Sequence, residues 1–465
     1  MNTSSPENIL DFMLTPLPAN IRKISDTGDI ERLREAMNKM QLSLTKEEKT
    51  RILFEIERLK RLRREFPFNV EEAFQLASHE LISLSREEFQ ELLRNGCIDH
   101  FRLGDEVRVF RRFIPNMFWL CPELKTRRVR GESELEVIER EVLFKRARSV
   151  REVAESTNKF YVLPLRYKVR FTLRVLDREK HGGTLRVWIP IPREDDMNHD
   201  VKIIATHPAV KHVAPPDHPQ RTLYFELDEG DTVSAVYEFI SHGFHVKLDP
   251  EKVRITEDEK ILSKYTCEKP PHIMFSDYLV RLTESVIGGE KNPLRKALRI
   301  WDWITSNVRY AYAMDYSLYD SISEYVARNL RGDCGMQAIL FITMARIAGI
   351  PARWQSGWYL NPVRAGMHDW AQVHLEPYGW IYVDPSFGNK RKGEDWRNSF
   401  YFGSIEGYRL AANIDISTQF DPPKKHFRSD PVDNQQGEVE SQEGNLYYDE
   451  WESRLEIIEV ERIKD

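Results

Sequence analysis

Through residues 1–155 the apolar positions recur every three or four residues, the spacing of helices packed on one face. Residues 29–40 predict one helix. Thr45-Lys46-Glu47-Glu48 has the form of a capping box, in which the first side chain and the third residue of the helix satisfy each other's backbone N–H. Ile52, Ile56, Leu59 and Leu62 or Arg63 carry that helix to Glu65. Asn69 and Ser85 open two more, the latter stopped by Gly96. Residues 107–114 read as a strand. Ser133-Glu134-Leu135-Glu136 caps a fifth helix, with Leu135, Ile138, Val142 and Val150 expected on its packed face.

From 156 to about 255 the period shortens to two. Residues 167–175, 184–189, 222–227 and 232–240 are β-rich runs separated by turn residues, and His181-Gly182-Gly183 reads as a hairpin tip. Prolines 190, 192, 208, 215, 216 and 219 mark the loops of a small antiparallel β-sandwich. No GxGxxG or GxxxxGK[ST] is present, so Gly182-Gly183 is no phosphate loop.

A third region spans 256–420. Asn292-Pro293 is an N-cap followed by proline at the first helical position, with Leu294, Leu298, Trp301 and Ile304 as the packed stripe. Ser321-Ile322-Ser323-Glu324 reads as a capping box opening a short helix through Leu330, ended by Gly332. A second helix runs from about Cys334 to Ala348, with Ala338, Phe341, Met344, Ala345 and Ala348 as one buried stripe, Gly349 as its stop and Pro351 beyond. Residues 368–375 and 380–384 alternate with period two across the turn Pro377-Tyr378-Gly379, which predicts a β-hairpin. The remainder, 421–465, divides into a polar, flexible acidic linker to 446 and an apolar terminal strand over 451–463. The whole is an α+β chain: a helical N-terminal region, a small antiparallel sandwich, and a core with one helix and one hairpin.

That core carries the chemistry. Cys334 sits in the first turn of its helix, where unpaired backbone N–H groups favour thiolate over thiol and stand ready to stabilise an oxyanion. His368 starts the first hairpin strand and Asp384 ends the second, so both fall near its open end. Thiol, imidazole and carboxylate in this order are the parts of a nucleophile activated by a base that a third group orients. His374, on the same face but toward the turn, is expected to be structural or exposed. Trp354, Trp358 and Tyr359 lie between nucleophile and base; most of the nearby aromatics are core material, and Trp358 is the one assigned to a substrate cleft.

Residues 292–402 resemble the transglutaminase-like superfamily of papain-type cysteine enzymes. The resemblance rests on Gly332-Asp333-Cys334, Ala338, Leu340-Phe341, Arg346, Gly349-Ile350-Pro351-Ala352-Arg353, Gly357, His368-Asp369-Trp370, Val373, Leu375, Gly379-Trp380 and Asp384-Pro385-Ser386. It implies a papain/transglutaminase-like catalytic core with Cys334 as nucleophile, His368 as general acid/base and Asp384 as orienter. It also implies acyl transfer on peptide or protein amides, with hydrolysis slightly favoured over transamidation. One position departs: family members often carry Glu two residues after the tryptophan of the histidine motif, where this chain has Gln372. The rival readings are a catalytically inactive binding protein that keeps the fold, and a mixed metal site on the same three residues. No HxxxH or CxxC pair supports the metal.

Composition narrows the setting. With 41% hydrophobic and 31% charged residues the chain is of ordinary globular type, long enough for about three domains. A net charge of −6 argues against a general nucleic-acid surface. Residues 421–465 hold 13 acidic and 6 basic residues, a balance of −7, so the rest is near neutral. Cys97, Cys121, Cys267 and Cys334 are widely spaced and form no CxxC; neither a zinc knuckle nor a disulfide framework is expected. Glu7 and Asp11 stand where a signal peptide would be basic then apolar, and no apolar run reaches membrane-spanning length. The expectation is a cytoplasmic enzyme with a peptide or protein substrate, no metal or organic cofactor, and neither nucleic acid nor membrane as partner.

Overall fold

The computed structural model describes residues 8–40, 42–103, 106–131, 133–390 and 395–463. Its N-terminal part is built from the helices Ile30–Met40, Lys46–Glu65, Val70–Glu80 and Arg86–Arg94. Thr45 and Asn69 each form the reciprocal capping box, and Ser85 accepts from the Glu88 N–H. Burial of Ile52, Ile56 and Leu59 against Ile21, Ile30 and Leu33 closes a small core, worth about 1.5–3 kcal/mol for each large apolar side chain.

Three expectations for this part fail. The strand over 107–114 is only Glu106–Val109, paired with His100–Leu103 and Phe68–Asn69. Phe113–Leu120 is a helix instead, because Pro115 falls in its first turn, where the missing N–H costs nothing. Cys97 and Cys121 are joined as a disulfide with Cα atoms 5.7 Å apart, both buried beside Phe113 and Leu124. Their distance in sequence hid a contact made by tertiary packing, and the pairing removes the reduced-cysteine ground for a reducing compartment. The helix Glu134–Thr157 starts at Ser133 with its capping box. Its Leu135 and Ile138 are exposed, however, and Leu143, Ala147 and Val150 are buried, so the packed stripe starts two turns later.

The sandwich is formed by two antiparallel sheets. One runs in the order Ser404–Ile405, Thr232–His245, Tyr161–Val175, Trp451–Arg462, with Asn198–His207 also pairing on Thr232–His245. The other runs Asn445–Leu446, Glu438–Glu440, Leu185–Pro190, Thr222–Leu227, His212–Val213. Val169, Phe171, Leu173, Val187, Ile189, Phe225 and Tyr237 fill the space between them. Gly182-Gly183 links two different sheets and is therefore not a hairpin tip. The terminal strand forms as expected, paired along Leu165–Val175. The flexible linker does not: Lys424, Arg428, Asp433, Glu438 and Glu440 are buried, and Glu438–Glu440 is a strand of the sandwich.

The remaining sheet has the order Gly379–Val383, Ala365–Leu375, Ala352–Leu360, Arg409–Asn413. The helix Cys334–Ile347 lies on it, with Ile322–Asn329, Pro293–Asn307 and Asp277–Ile287 packed around its other sides. Every residue from Cys334 to Arg346 is buried, so it is a helix covered all round and not the single-stripe helix its small residues suggested. Asn292 caps Pro293–Asn307 through the Arg295 N–H. Ser321 makes no side-chain cap; Ile322–Asn329 ends on Leu330 in the left-handed region (φ 51°), ahead of Gly332.

Candidate active site

Asp333 N-caps the central helix: its side chain accepts from the Met336 N–H at 3.1 Å and from the Tyr316 hydroxyl at 2.6 Å. Cys334 follows as the first helical residue, as its sequence context predicts. Gly335 follows it because nothing larger fits. A Cβ there would meet Asp369 Oδ2 at 2.7 Å and the Trp354 ring at 2.9 Å, and would collide with the Tyr316 hydroxyl.

The antiparallel pair Ala365–Leu375 and Gly379–Val383 places Ala371 opposite Val383. Asp384, one residue on, thereby reaches His368: Nε2 and Oδ2 are 2.7 Å apart. Asp384 Oδ1 also accepts from Ser386 Oγ at 3.1 Å and the Phe387 N–H at 3.0 Å. Its Oδ2 further accepts from Arg409 Nη2 at 3.1 Å, and Arg409 in turn is bound to Glu406 at 2.7 Å. Burial opposes the charge on Asp384, but His368 and Arg409 outweigh it and hold the carboxyl well below its ordinary range. Burial also lowers the His368 pKa, with Arg409 adding to that effect and Asp384 opposing it, so the imidazole is neutral near pH 7. Rings of Trp370 and Phe387 flank it at 6.1 and 4.3 Å.

Cys334 does not meet this pair. Its thiol donates to Asp369 Oδ2 at 3.2 Å, and no hydrogen bond joins it to His368 among the described residues. Neighbours along a strand point to opposite faces. His368 shares its face with Trp370, whose indole donates to Gln355; Asp369 takes the other face, under the helix. The expectation that His368 sits beside the sulfur is thus replaced by Asp369 in that place. The thiolate expectation changes with it. Burial, then the charges of Asp369 and Asp333, push the Cys334 thiol up, against the pull of the helix start. Burial and the charges of Asp433 and Asp333 likewise raise Asp369, and the pair favours its protons.

The other expected residues are placed as follows. Trp358 is buried against Phe171 in the sandwich core, and its indole donates to the Gln435 backbone carbonyl at 2.9 Å. Gln372 accepts from Arg353 Nε at 2.7 Å, so the neutral amide takes up a partner of its own. His374 is buried against Trp380, not exposed. Asp369, Arg409, Glu406 and Gln435 were missed. Arg409 had a signal, since it interrupts the apolar run from Tyr408 to Ala412. Asp369 lies inside the quoted histidine motif, and period-two alternation already put it on the face opposite His368. Among the described residues no three His, Cys, Asp or Glu side chains are grouped to hold a metal ion.

Residues 280–385 match the family model of the transglutaminase-like superfamily. That match, at the level of the family, is to cysteine-dependent enzymes. An uncharacterized protein of Haemophilus influenzae is 25% identical over 207 residues, covering 37% of this chain and 55% of that protein. The chain thus spans about half the length of the curated relative it matches. Among solved structures, one named "putative cysteine protease" from Cytophaga hutchinsonii aligns with 16% identity and a TM-score of 0.42, covering 66% of this chain and 93% of that one. The periplasmic domain of TgpA from Pseudomonas aeruginosa aligns with 16% identity and a TM-score of 0.29, covering 51% and 92%.

Proposed function

We propose that the chain is a cysteine-dependent acyl-transfer enzyme acting on peptide or protein amides, with Cys334 as nucleophile, His368 as general acid/base and Asp384 as its orienter. The observation that carries this reading is the buried His368–Asp384 hydrogen bond, anchored by Arg409, one strand residue from the side chain that holds the Cys334 thiol. A carboxylate paired with one imidazole nitrogen sets the tautomer and stabilises the imidazolium formed in catalysis.

In the reaction, the Cys334 proton passes to His368 and the sulfur attacks the amide carbonyl carbon. The tetrahedral oxyanion collapses, the C–N bond breaks, and the amine leaves with the proton from His368. A thioester remains. Water, deprotonated by His368, cleaves it to the carboxylic acid and restores the thiol; an amine in place of water gives transamidation. Hydrolysis is slightly favoured over transamidation. Sulfur and imidazole lie on different faces of the strand, so proton transfer between them requires the site to rearrange.

The contact of the thiol with Asp369 favours a second reading, an inactive binding protein of the same fold. Intact-mass analysis of a panel of peptide amides incubated with the protein, with and without a primary amine, separates the two. A mass gain of about 1 Da on a carboxamide substrate means hydrolysis, and an amine adduct means transamidation. No change in any peptide, with Cys334 reduced and labelled to completion only after denaturation, overturns the enzymatic reading.

A further inference from the structure

The segment from Asn413 to Leu446 is polar in sequence and buried in the fold. Its apex is Gln435. The side-chain amide Nε2 lies 2.7 Å from Asp369 Oδ1, 3.0 Å from the Gly357 carbonyl and 3.1 Å from the His368 carbonyl. The Gln435 backbone carbonyl accepts from the Trp358 indole at 2.9 Å. The neighbouring Asn434 exchanges backbone hydrogen bonds with the Asn413 side chain at 3.3 and 3.0 Å. The carboxyl group of Asp369 is therefore shared: one oxygen takes the Gln435 amide and the other takes the Cys334 thiol.

We infer that Gln435 is an internal plug: the segment around it closes the Cys334 site, and the site opens only when residues 430–437 leave. The inference rests on the reading of Cys334 as nucleophile. Cys334 is 9% exposed in the closed form, too little for an acyl group to approach the sulfur. The three acceptors around Nε2 are what an incoming amide N–H would need, so the plug holds the place of a substrate and not merely the rim of one.

The segment is tied at both ends and between them, where the Val432 carbonyl accepts from the Ser417 N–H and the Gln220 side chain, both at 2.7 Å, so opening must break these bonds. Arg428 is tied to Glu438 at 2.8 Å and to the Thr418 carbonyl at 2.9 Å; Lys424 is tied to Glu438 at 2.7 Å. Gly437 is pinned in the left-handed region (φ 86°), where a Cβ would meet Leu173 at 2.8 Å. Behind the segment there is room. A cavity of about 860 Å³, lined by Phe12, Phe54, Lys425, Phe427 and Pro431 among others, separates it from the N-terminal helices. Pro431 lines this space, while Val432 next to it is fully buried in the core.

The test is the alkylation rate of Cys334 by iodoacetamide at fixed pH in the non-reduced protein, with exposed Cys267 as internal reference. Gln435→Ala should speed labelling of Cys334 relative to Cys267 by roughly tenfold or more, the scale set by losing a hydrogen bond to a carboxyl group. Gln435→Glu, which sets a second carboxylate against Asp369, should do at least as much; circular dichroism checks that both variants fold. Hydrogen exchange should rise over 430–437 and stay unchanged over the terminal strand. An unchanged labelling ratio in two folded variants overturns the plug. Amide turnover reads the other claim separately. Fast labelling without turnover keeps the plug and removes the acyl-transfer reading, whereas turnover with unchanged labelling does the reverse.

Discussion

Cys334 Sγ and Asp369 Oδ2 lie 3.2 Å apart, and the thiol is the donor. A cysteine at a helix start normally gains thiolate character. Here a buried carboxyl group lies against the sulfur, and the two effects act in opposite directions. The tertiary setting prevails: burial of the thiol, then the carboxyl groups of Asp369 and Asp333 beside it, outweigh the half charge of a helix end.

Asp369→Asn isolates that contact. The amide keeps one acceptor oxygen, sets an NH2 donor in place of the other, and removes the ionisable carboxyl. Lowering the Cys334 pKa by each unit raises the thiolate fraction about tenfold near neutral pH. Alkylation of Cys334 relative to Cys267 should therefore quicken in the variant. A slower rate would mean that Asp369 takes the thiol proton, making it the base in this arrangement.

Asp384→Asn tests the other half of the site. The shape and the contacts to Ser386 and Phe387 persist, while stabilisation of an imidazolium is lost; turnover of any amide substrate should fall on the order of 10³-fold or more. The variant should also be less stable by about 3 kcal/mol, because buried Arg409 loses one of its two carboxylate partners. The sign with pH follows from the lowered Asp384 pKa. Its contribution is present above the unfolded carboxyl value near 4 and fades as pH falls through the folded value. Thermal unfolding of wild type and variant should therefore converge at low pH, and a constant gap down to about pH 2 would contradict the assignment.

Closure over Cys334 should weaken as pH rises. Burial, then the charge of Asp430, push Asp433 up to about 8; burial, with the charge of Glu438 adding and Arg428 opposing, pushes Asp430 to about 6. Asp333 and Asp369 face Asp433 from the helix and the sheet, and Arg428 is the cation beside it. A freed segment returns these carboxyls to about 4. The closed form thus binds more protons. Its advantage is complete below about pH 4 and is lost progressively as pH climbs toward 8. The Cys334 to Cys267 labelling ratio should increase over that range, and Asp433→Asn should flatten the increase. A ratio independent of pH in the wild type would count against the segment as the barrier.

The Cys97–Cys121 link closes a loop with a sequence separation of 24 residues. Loop-closure entropy assigns such a link about 3–4 kcal/mol. Differential scanning calorimetry with and without a reductant should show a lower midpoint after reduction, and intact mass should increase by about 2 Da. No mass change on reduction would mean that the two thiols are not joined.

The local sequence determined what depends on near neighbours. The capping boxes at Thr45, Asn69 and Ser133, the Asn292-Pro293 start, the place of Cys334 at the first helical turn and the hairpin that brings His368 to Asp384 all follow from side chains within a few residues of each other. Periodicity told strands from helices and put the terminal strand over 451–463 in reach of a sheet. Tertiary structure decided the rest, because each remaining contact joins residues far apart in the chain. Which face of the His368-Asp369 strand lies under the helix is set by packing of the whole sheet, and with it whether sulfur meets imidazole or carboxyl. Arg409 reaches Asp384 only through the order of the sheet. The Cys97–Cys121 pair depends on the Phe113–Leu120 helix folding back. The polarity of 421–446 reads as solvated linker because composition counts charges without their partners. In the fold Lys424 and Arg428 find Glu438, their desolvation is offset by ion pairs and hydrogen bonds, and a buried segment reaches across to Asp369.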